Sequence, residues 1–461
     1  MRRIVFIIMT CLSALAVNAE TDNWEKMKEV YNSIKAPVFP DRDFLITDFH
    51  VSSDTLYTKA INSAIGACHA AGGGRVVIPA GEYVTAPITL RSNVNLHLEE
   101  GAVLKFTLDT SLSNIVLTRI EGIDCYNWQP LIYAYGEENI AITGKGTLDG
   151  QGTPDSWWSP KLRHNIKLPD GRIGYEKTLL NECLERQDPI DKRIFKGSTG
   201  MRPQFINLYR CKNILLEDFT IIRSPFWLIH PLLSENIIVR GVTMNSHGAN
   251  NDGCDPESCK NVIIENCTID TGDDCIAIKS GKDADGRRWN IPSENIIVRN
   301  CVMKDGHAAV AMGSEITGGC RNVWVEDCKM DSPNLDRIIR IKSNPVRGGV
   351  VENVYVRNLE VGECKLAILG IELKYWKVTE GDFKPLFQNI YIDNIKSKKS
   401  QYMVSVDGFE DSAQAKNIFF SNCDIQGVTN KKINNLVGQT ELYFNNVKVN
   451  GKNYKHKANR K

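Results

Sequence analysis

Four polar motifs interrupt an otherwise apolar, strand-like chain: Asn250-Asn251-Asp252, Asp273-Asp274, Gly306-His307-Ala308 and Arg340-Ile341-Lys342. Three carboxylates held close together raise one another's pKa, so at least one keeps a proton near neutral pH while the others stay ionised. Acid-catalysed cleavage of a glycosidic bond needs this division: one acid for the leaving oxygen, one carboxylate to activate water. Carboxylates on neighbouring rungs can reach the ~6.5–9.5 Å separation that leaves room for that water and gives inversion. Arg340 and Lys342, two apart on a strand, point the same way and offer a planar fork and a point charge to a substrate carboxylate. Acids beside such a basic pair predict a uronic-acid glycan as substrate.

Taken singly, each motif has a plainer reading. Asp273-Asp274 alone reads as a solvated turn, and adjacent strand residues face opposite sides unless Gly272 or a bulge turns the backbone. His307 alone reads as a satisfied polar residue, Arg340 with Lys342 as a wet charged face, and aspartates with asparagine as calcium ligands. Only their meeting on one stripe overturns these readings, and a repeat in the chain supplies the stripe.

Phrases of one form begin at Asn213, Asn236, Asn261, Asn295, Asn322, Asn353, Asn389 and Asn417, spaced 23 to 36 residues apart. In almost every copy, apolar residues fall one, three, six and eight places after the Asn, as in Val262, Ile264, Cys267 and Ile269. Steps of two mean strand, and the slip from three to six means a bend between two strands that share one interior. Such coils bury their apolar face only when stacked, which predicts an all-β fold, a right-handed parallel β-helix. The repeated Asn predicts a ladder of side-chain amides. Cys267, Cys301, Cys328 and Cys423, each six places after their Asn, are predicted to stack inside as small buried groups. Asp273 and His307 both lie twelve places after theirs, and neighbouring rungs are ~4.8 Å apart. Asp252, Asp273, Asp274, His307, Arg340 and Lys342 therefore line one stripe over four coils.

With these motifs in this order, the chain resembles glycoside hydrolase family 28, the polygalacturonase family, whose signatures run NxD, DD, GHG and RIK. The resemblance implies a pectin-lyase-like solenoid and metal-independent, inverting hydrolysis with no cofactor. By resemblance Asp273 is the general acid, while Asp252 and Asp274 position and activate water. His307 tunes the acid or touches substrate; Asn250, Arg340, Lys342 and Tyr375, in Leu373-Lys374-Tyr375-Trp376, bind the galacturonate. The third motif departs from the pattern: Ala308 stands where the family has Gly, and its methyl is expected to narrow the cleft or alter the substrate.

Several features bound the organisation. Arg2 and Arg3 before an apolar run from Ile4 to Val17, with small residues ending at Ala19, read as a signal peptide (1–19). Export to the periplasm or outside the cell follows. Residues 20–451 read as one catalytic β-helix domain, with 151–205 a long loop or small lobe and 452–461 a basic tail. A helix beginning near Asp54 as cap, carrying Ala60, Ile61, Ala64, Ile65 and Cys68 on one face and ending at Gly72-Gly73-Gly74, should close the open end of the core. Lys+Arg 56 against Asp+Glu 55 gives no general field for nucleic acid or anionic membranes, and no later stretch is apolar enough to span a bilayer. The 14 cysteines leave an odd number after cleavage, so buried thiols are expected, with Cys254–Cys259 as the possible disulfide. Trp157 and Trp158 read equally as a sugar platform or a packed loop.

The function expected is hydrolysis of galacturonic acid linkages in pectic polysaccharide or oligogalacturonides by a monomer, with the long loops walling the cleft for exo action. Rhamnogalacturonan or decorated galacturonan is the alternative substrate. A calcium-dependent pectate lyase and a non-catalytic glycan-binding β-helix are the readings from other classes.

Overall fold

Stacking of the repeat governs the architecture of the computed structural model, which describes residues 23–159, 166–167, 171, 173–174, 176–195 and 201–454. Most coils give one strand to each of three sheets of a right-handed β-helix, parallel except where Lys452–Asn453 turns back on Lys448–Val449. Among the described residues the first sheet has thirteen strands, from Asp43–Leu45 and Gly74–Ile78 to Thr440–Asn445. The second also has thirteen, starting at Gly81–Thr85. The third runs in a four-stranded and a six-stranded block joined by bridges from Ile229 to Cys254 to Ile276.

The bend inferred from the slipped spacing sits five places after each Asn. Asn266, Asn300, Asp327, Asn358, Asn394 and Asn422 all have φ between 49° and 56°, the left-handed region that asparagine tolerates best among side-chain-bearing residues. The repeated Asn is itself left-handed, 59° at Asn261 and 57° at Asn322. Its amide ladder forms as expected: Asn261 Nδ2 donates to Asn236 Oδ1 at 3.1 Å, and Asn295 Nδ2 to Asn261 Oδ1 at 3.0 Å. Val262, Ile264, Cys267 and Ile269 are buried inside, in register with Ile296 and Val298 of the next coil. All thirteen described cysteines are free, Cys254 and Cys259 included, so that possible disulfide is absent. A thiol turned inward among aliphatic side chains packs as a small apolar group.

Helix Thr58–Ala70 buries the five expected residues against the first coils and ends where Gly73 N–H bonds Cys68 O. Asp54 does not cap it: the flanking Tyr57 offers no side-chain bond, and Asp54 pairs with Lys59 at 3.7 Å instead. A second helix, residues 23–33, went unread in the sequence. Its Trp24 and Met27 pack on the outward residues Ile263, Ile297 and Trp324, which explains why the first sheet is apolar on both faces.

Between the early and middle coils stands a lobe. A hairpin, Ile115–Ile120 with Ile123–Trp128, and helix Glu176–Glu185 share Ile120, Ile123, Leu180, Leu184 and Phe195 in a core of their own. A buried ion network ties it to the solenoid: Arg119 contacts Asp124 at 2.8 Å and Glu257 at 2.9 Å, and Arg193 contacts Asp285 at 2.6 Å. Trp157 is buried and Trp158 Nε1 donates to Ser224 O at 2.8 Å, the packed-loop reading of that pair. The segment read as a signal peptide, Arg163, and most of the basic tail (455–461) lie outside the described residues. Among the described residues no helix is long and apolar enough to cross a membrane.

Candidate active site

The turns leading from the second sheet into the third gather the polar motifs. Asp273 and Asp274 follow strand Thr268–Thr271 and precede Ile276–Ile278. Gly272 permits the turn, since a Cβ there would meet Gly248 O at 2.4 Å. Both carboxylates can therefore face one space, with Asp274 N–H bonded to Asp273 Oδ1 at 3.0 Å. One oxygen each from Asp252, Asp273 and Asp274 lies within 4.8 Å of the others. That is closer than the separation expected from neighbouring rungs, because all three sit on converging turns and not on straight strands.

Asp273 is the open member. Its side chain keeps 17% of its exposure, against 4% for Asp252 and 1% for Asp274. His307 lies one coil on, as its offset required, with Nδ1 2.9 Å from Asp273 Oδ1. Burial works to raise the Asp273 carboxyl, but the His307 bond and the nearby lysines hold it at about 2. The same bond raises His307 above the ordinary imidazole value. Asp252 goes the other way: burial first, then Asp273 and Asp255, push it well above the carboxylate range. Of the three, Asp252 is the one whose surroundings favour the protonated form.

Arg340 and Lys342 do point together from strand Arg337–Lys342. Lys342 Nζ is 2.6 Å from Asp274 Oδ2, while Arg340 stands 4.0 Å from Asp274 and 3.0 Å from Glu372. Arg340 Nε is buried without a partner. Tyr375 lies beside both, its ring 5.7 Å from the Arg340 guanidinium and 5.5 Å from the Lys342 amine. Beyond them opens a pocket of about 490 Å³ lined by His307, Arg340, Glu372, Tyr375 and Trp376 among others. Asn250 stands aside, its Oδ1 accepting from Arg202 at 2.9 Å, which fixes the turn that carries Asp252. Ala308 is fully buried beside Ala277 and Ala311, which lie in register with Arg340 on the outward face of the third sheet.

Lys279, Asp255, Glu315 and Arg347 were not singled out from the sequence. Lys279 Nζ bridges Glu315 at 3.3 Å, Asp255 at 3.7 Å and Asp252 at 3.9 Å. Burial opposes its charge, but these carboxylates keep it protonated. Arg347 stands 3.7 Å from Glu315. A signal for Lys279 did exist: it lies eighteen places after Asn261, the offset of Arg340 from Asn322. Three clustered carboxylates offer oxygen donors to a divalent cation, yet Lys342 and Lys279 already bring two amines against them. That donor set suits proton transfer better than calcium.

Residues 193–449, more than half of the chain, match the model of glycosyl hydrolases family 28. This chain belongs to that family. A probable polygalacturonase of Vitis vinifera is 31% identical over 325 residues, covering 68% of this chain and 59% of the relative. An exo-poly-alpha-D-galacturonosidase of Dickeya chrysanthemi is 25% identical over 434 residues, covering 87% and 70%. The crystal structure of a hyperthermoactive exopolygalacturonase from Thermotoga maritima superposes with a TM-score of 0.86 at 38% identity, over 93% of this chain and 96% of that one. The chain thus spans about three-fifths of the grape relative's length and nearly all of the Thermotoga structure. As a family 28 member it is a glycoside hydrolase, which removes the lyase and the non-catalytic β-helix from the readings above.

Proposed function

We propose that this protein is an exo-acting polygalacturonase, which takes single galacturonate units from a chain end by inverting hydrolysis. The observation that carries exo action is the lobe. Its hairpin tip packs directly on the site's floor, where a Cβ on Gly122 would lie 2.7 Å from Lys282 Cβ and 3.0 Å from Glu315 Cγ. Glu315 in turn holds Lys279 beside Asp252. The lobe therefore stands against one side of the acids, while the pocket lined by His307, Arg340 and Tyr375 opens on the other.

Asp273, the accessible acid, protonates the leaving oxygen. It draws the proton from His307, the half-exposed imidazolium bonded to it. Asp252 and Asp274 hold the attacking water. The closeness of the three acids no longer argues for inversion by the separation rule, but their burial does. Asp274 is clasped by Lys342 and Asp252 is almost closed to solvent, so neither can reach an anomeric carbon as nucleophile, while a water between them can. Arg340, Lys342 and Tyr375 receive the carboxylate of the galacturonate on the leaving side. Export follows from the Arg2-Arg3 leader and its apolar run, and the protein acts as a monomer.

The deciding experiment is chromatography of early products on polygalacturonate and on rhamnogalacturonan. Galacturonate as the sole early product supports the proposal; a ladder of oligomers defeats exo action, and release only from the branched polymer moves the substrate. Proton NMR of the first-formed anomer reads inversion directly. Activity should survive chelator without any unsaturated, ultraviolet-absorbing product.

A further inference from the structure

Trp376 is the most exposed large aromatic in the described residues, at 74%. It sits on the rim of the pocket that starts at His307 and Arg340. Its backbone is left-handed, φ 62°, and so is that of Lys377, φ 59°. That region is strained for a bulky residue, and two in a row are unusual outside sites where the surroundings impose them. The turn is firmly fixed: Tyr375 N–H bonds Ser343 O at 2.9 Å and Lys377 N–H bonds Lys374 O at 2.8 Å. Tyr375 and Trp376 meet edge to face at 5.3 Å, so the neighbour that borders the basic pair also props the indole. No burial compensates an indole held out in water. Lys374 beside it is neutralised by Asp407 at 2.7 Å, whereas the Lys377 amine has no ion-pair partner among the described residues.

Position completes the argument. Arg340 pairs across to Gly370 in the next strand, Ala367–Glu372, and Trp376 follows directly after it. It therefore lies one coil beyond the basic pair, on the side away from the lobe. A glycan chain leaving the acids advances by about one sugar per rung. A galacturonate offers an apolar face of C–H groups to an indole and a carboxylate to an amine. We infer that Trp376 and Lys377 form a second leaving-side sugar site, which holds the residue after the one bound by Arg340, Lys342 and Tyr375. This rests on the galacturonan reading above and adds a preference for chain length: a trimer engages the platform, a dimer cannot.

The test compares kcat/KM on trigalacturonate and digalacturonate. In the unaltered protein the trimer is favoured; Trp376→Ala lowers the trimer-to-dimer ratio about tenfold, the scale of one stacking contact. Trp376→Phe keeps most of it. Lys377→Met lowers the ratio a few-fold at low salt and hardly at all at high salt, as expected for an exposed charge. A ratio unmoved by Trp376→Ala overturns the inference. Titration of trigalacturonate into Asp273→Asn protein, with and without Trp376→Ala, reads the same site without turnover. Tight, Trp376-dependent binding by a protein that never cleaves galacturonides would leave this site standing and remove the hydrolytic reading. Binding indifferent to Trp376 would remove the site alone.

Discussion

At the scale of single residues, the site divides one proton among groups whose surroundings pull in opposite directions. Asp273→Asn removes the donor without disturbing the packing, and hydrolysis should fall by at least the ~10²–10⁴-fold that general acid catalysis supplies, with the melting temperature kept. His307 gives a sharper test. Because Asp273 raises its pKa, His307 carries its proton up to a pH above the ordinary imidazole value of ~6.5, and activity should decline only beyond that. In His307→Gln the donor must keep its own proton, so the alkaline limb of the kcat/KM profile should move acidward by about a unit or more. Asp252 makes an opposite prediction for stability. A folded-state carboxyl pKa raised above its unfolded value means the native state binds more protons above pH ~3.8, so stability falls as pH rises from there. Asp252→Asn removes that loss. Its melting temperature should exceed the unaltered protein's at pH 7 and by less at pH 4, while its activity is gone; equal gains at both pH values would mean that Asp252 is not the proton holder.

At the scale of the element, the Asn ladder tests why the coil can be read so directly. Asn261 both takes a left-handed φ and links Asn236 to Asn295. Asn261→Gly keeps the backbone and loses two amide bonds, whereas Asn261→Ala loses both advantages; the Ala variant should be destabilised by about 1–3 kcal/mol and more than the Gly variant, by denaturant unfolding. Such side chains repeat because neighbouring coils share one register, and that is why the solenoid, the cysteine stack and the offset of His307 from Asp273 were all legible. The charges that complete the site were not, for a related reason. Lys279 stands on the outward face of the third sheet, bridged from Glu257, at an offset shared only with Arg340 two coils on. Glu315 and Arg347 stand in the loops after strands Val310–Met312 and Arg337–Lys342, beyond the reach of the repeat. Helix 23–33 was hidden differently: nothing in its own spacing says that its apolar face covers the outside of a sheet made hundreds of residues later.

At the scale of the whole molecule, an open groove becomes a blind pocket only if the lobe stays in place, and buried charge keeps it there. Arg119 has no exposure; it holds Asp124 within the hairpin and joins the hairpin to the solenoid through Glu257, while Asp124 also takes Arg288 at 2.7 Å and Glu257 takes His230 at 2.9 Å. Replacing Arg119 by Met leaves two buried carboxylates short of their shared cation, a change that ordinarily costs several kcal/mol. The solenoid does not depend on this pair, since its coils are held by their own ladders and core, so the cost should fall on the lobe. An early thermal transition should separate from the main one. Below it the acids, His307, Arg340 and Lys342 remain assembled, and hydrolysis continues in a cleft that has lost its end wall. The product pattern should then shift from galacturonate alone towards mixed oligomers, read by anion-exchange chromatography at matched turnover. Galacturonate as sole product from a variant whose lobe has melted would mean that the wall lies elsewhere, and exo action would need a different structural cause.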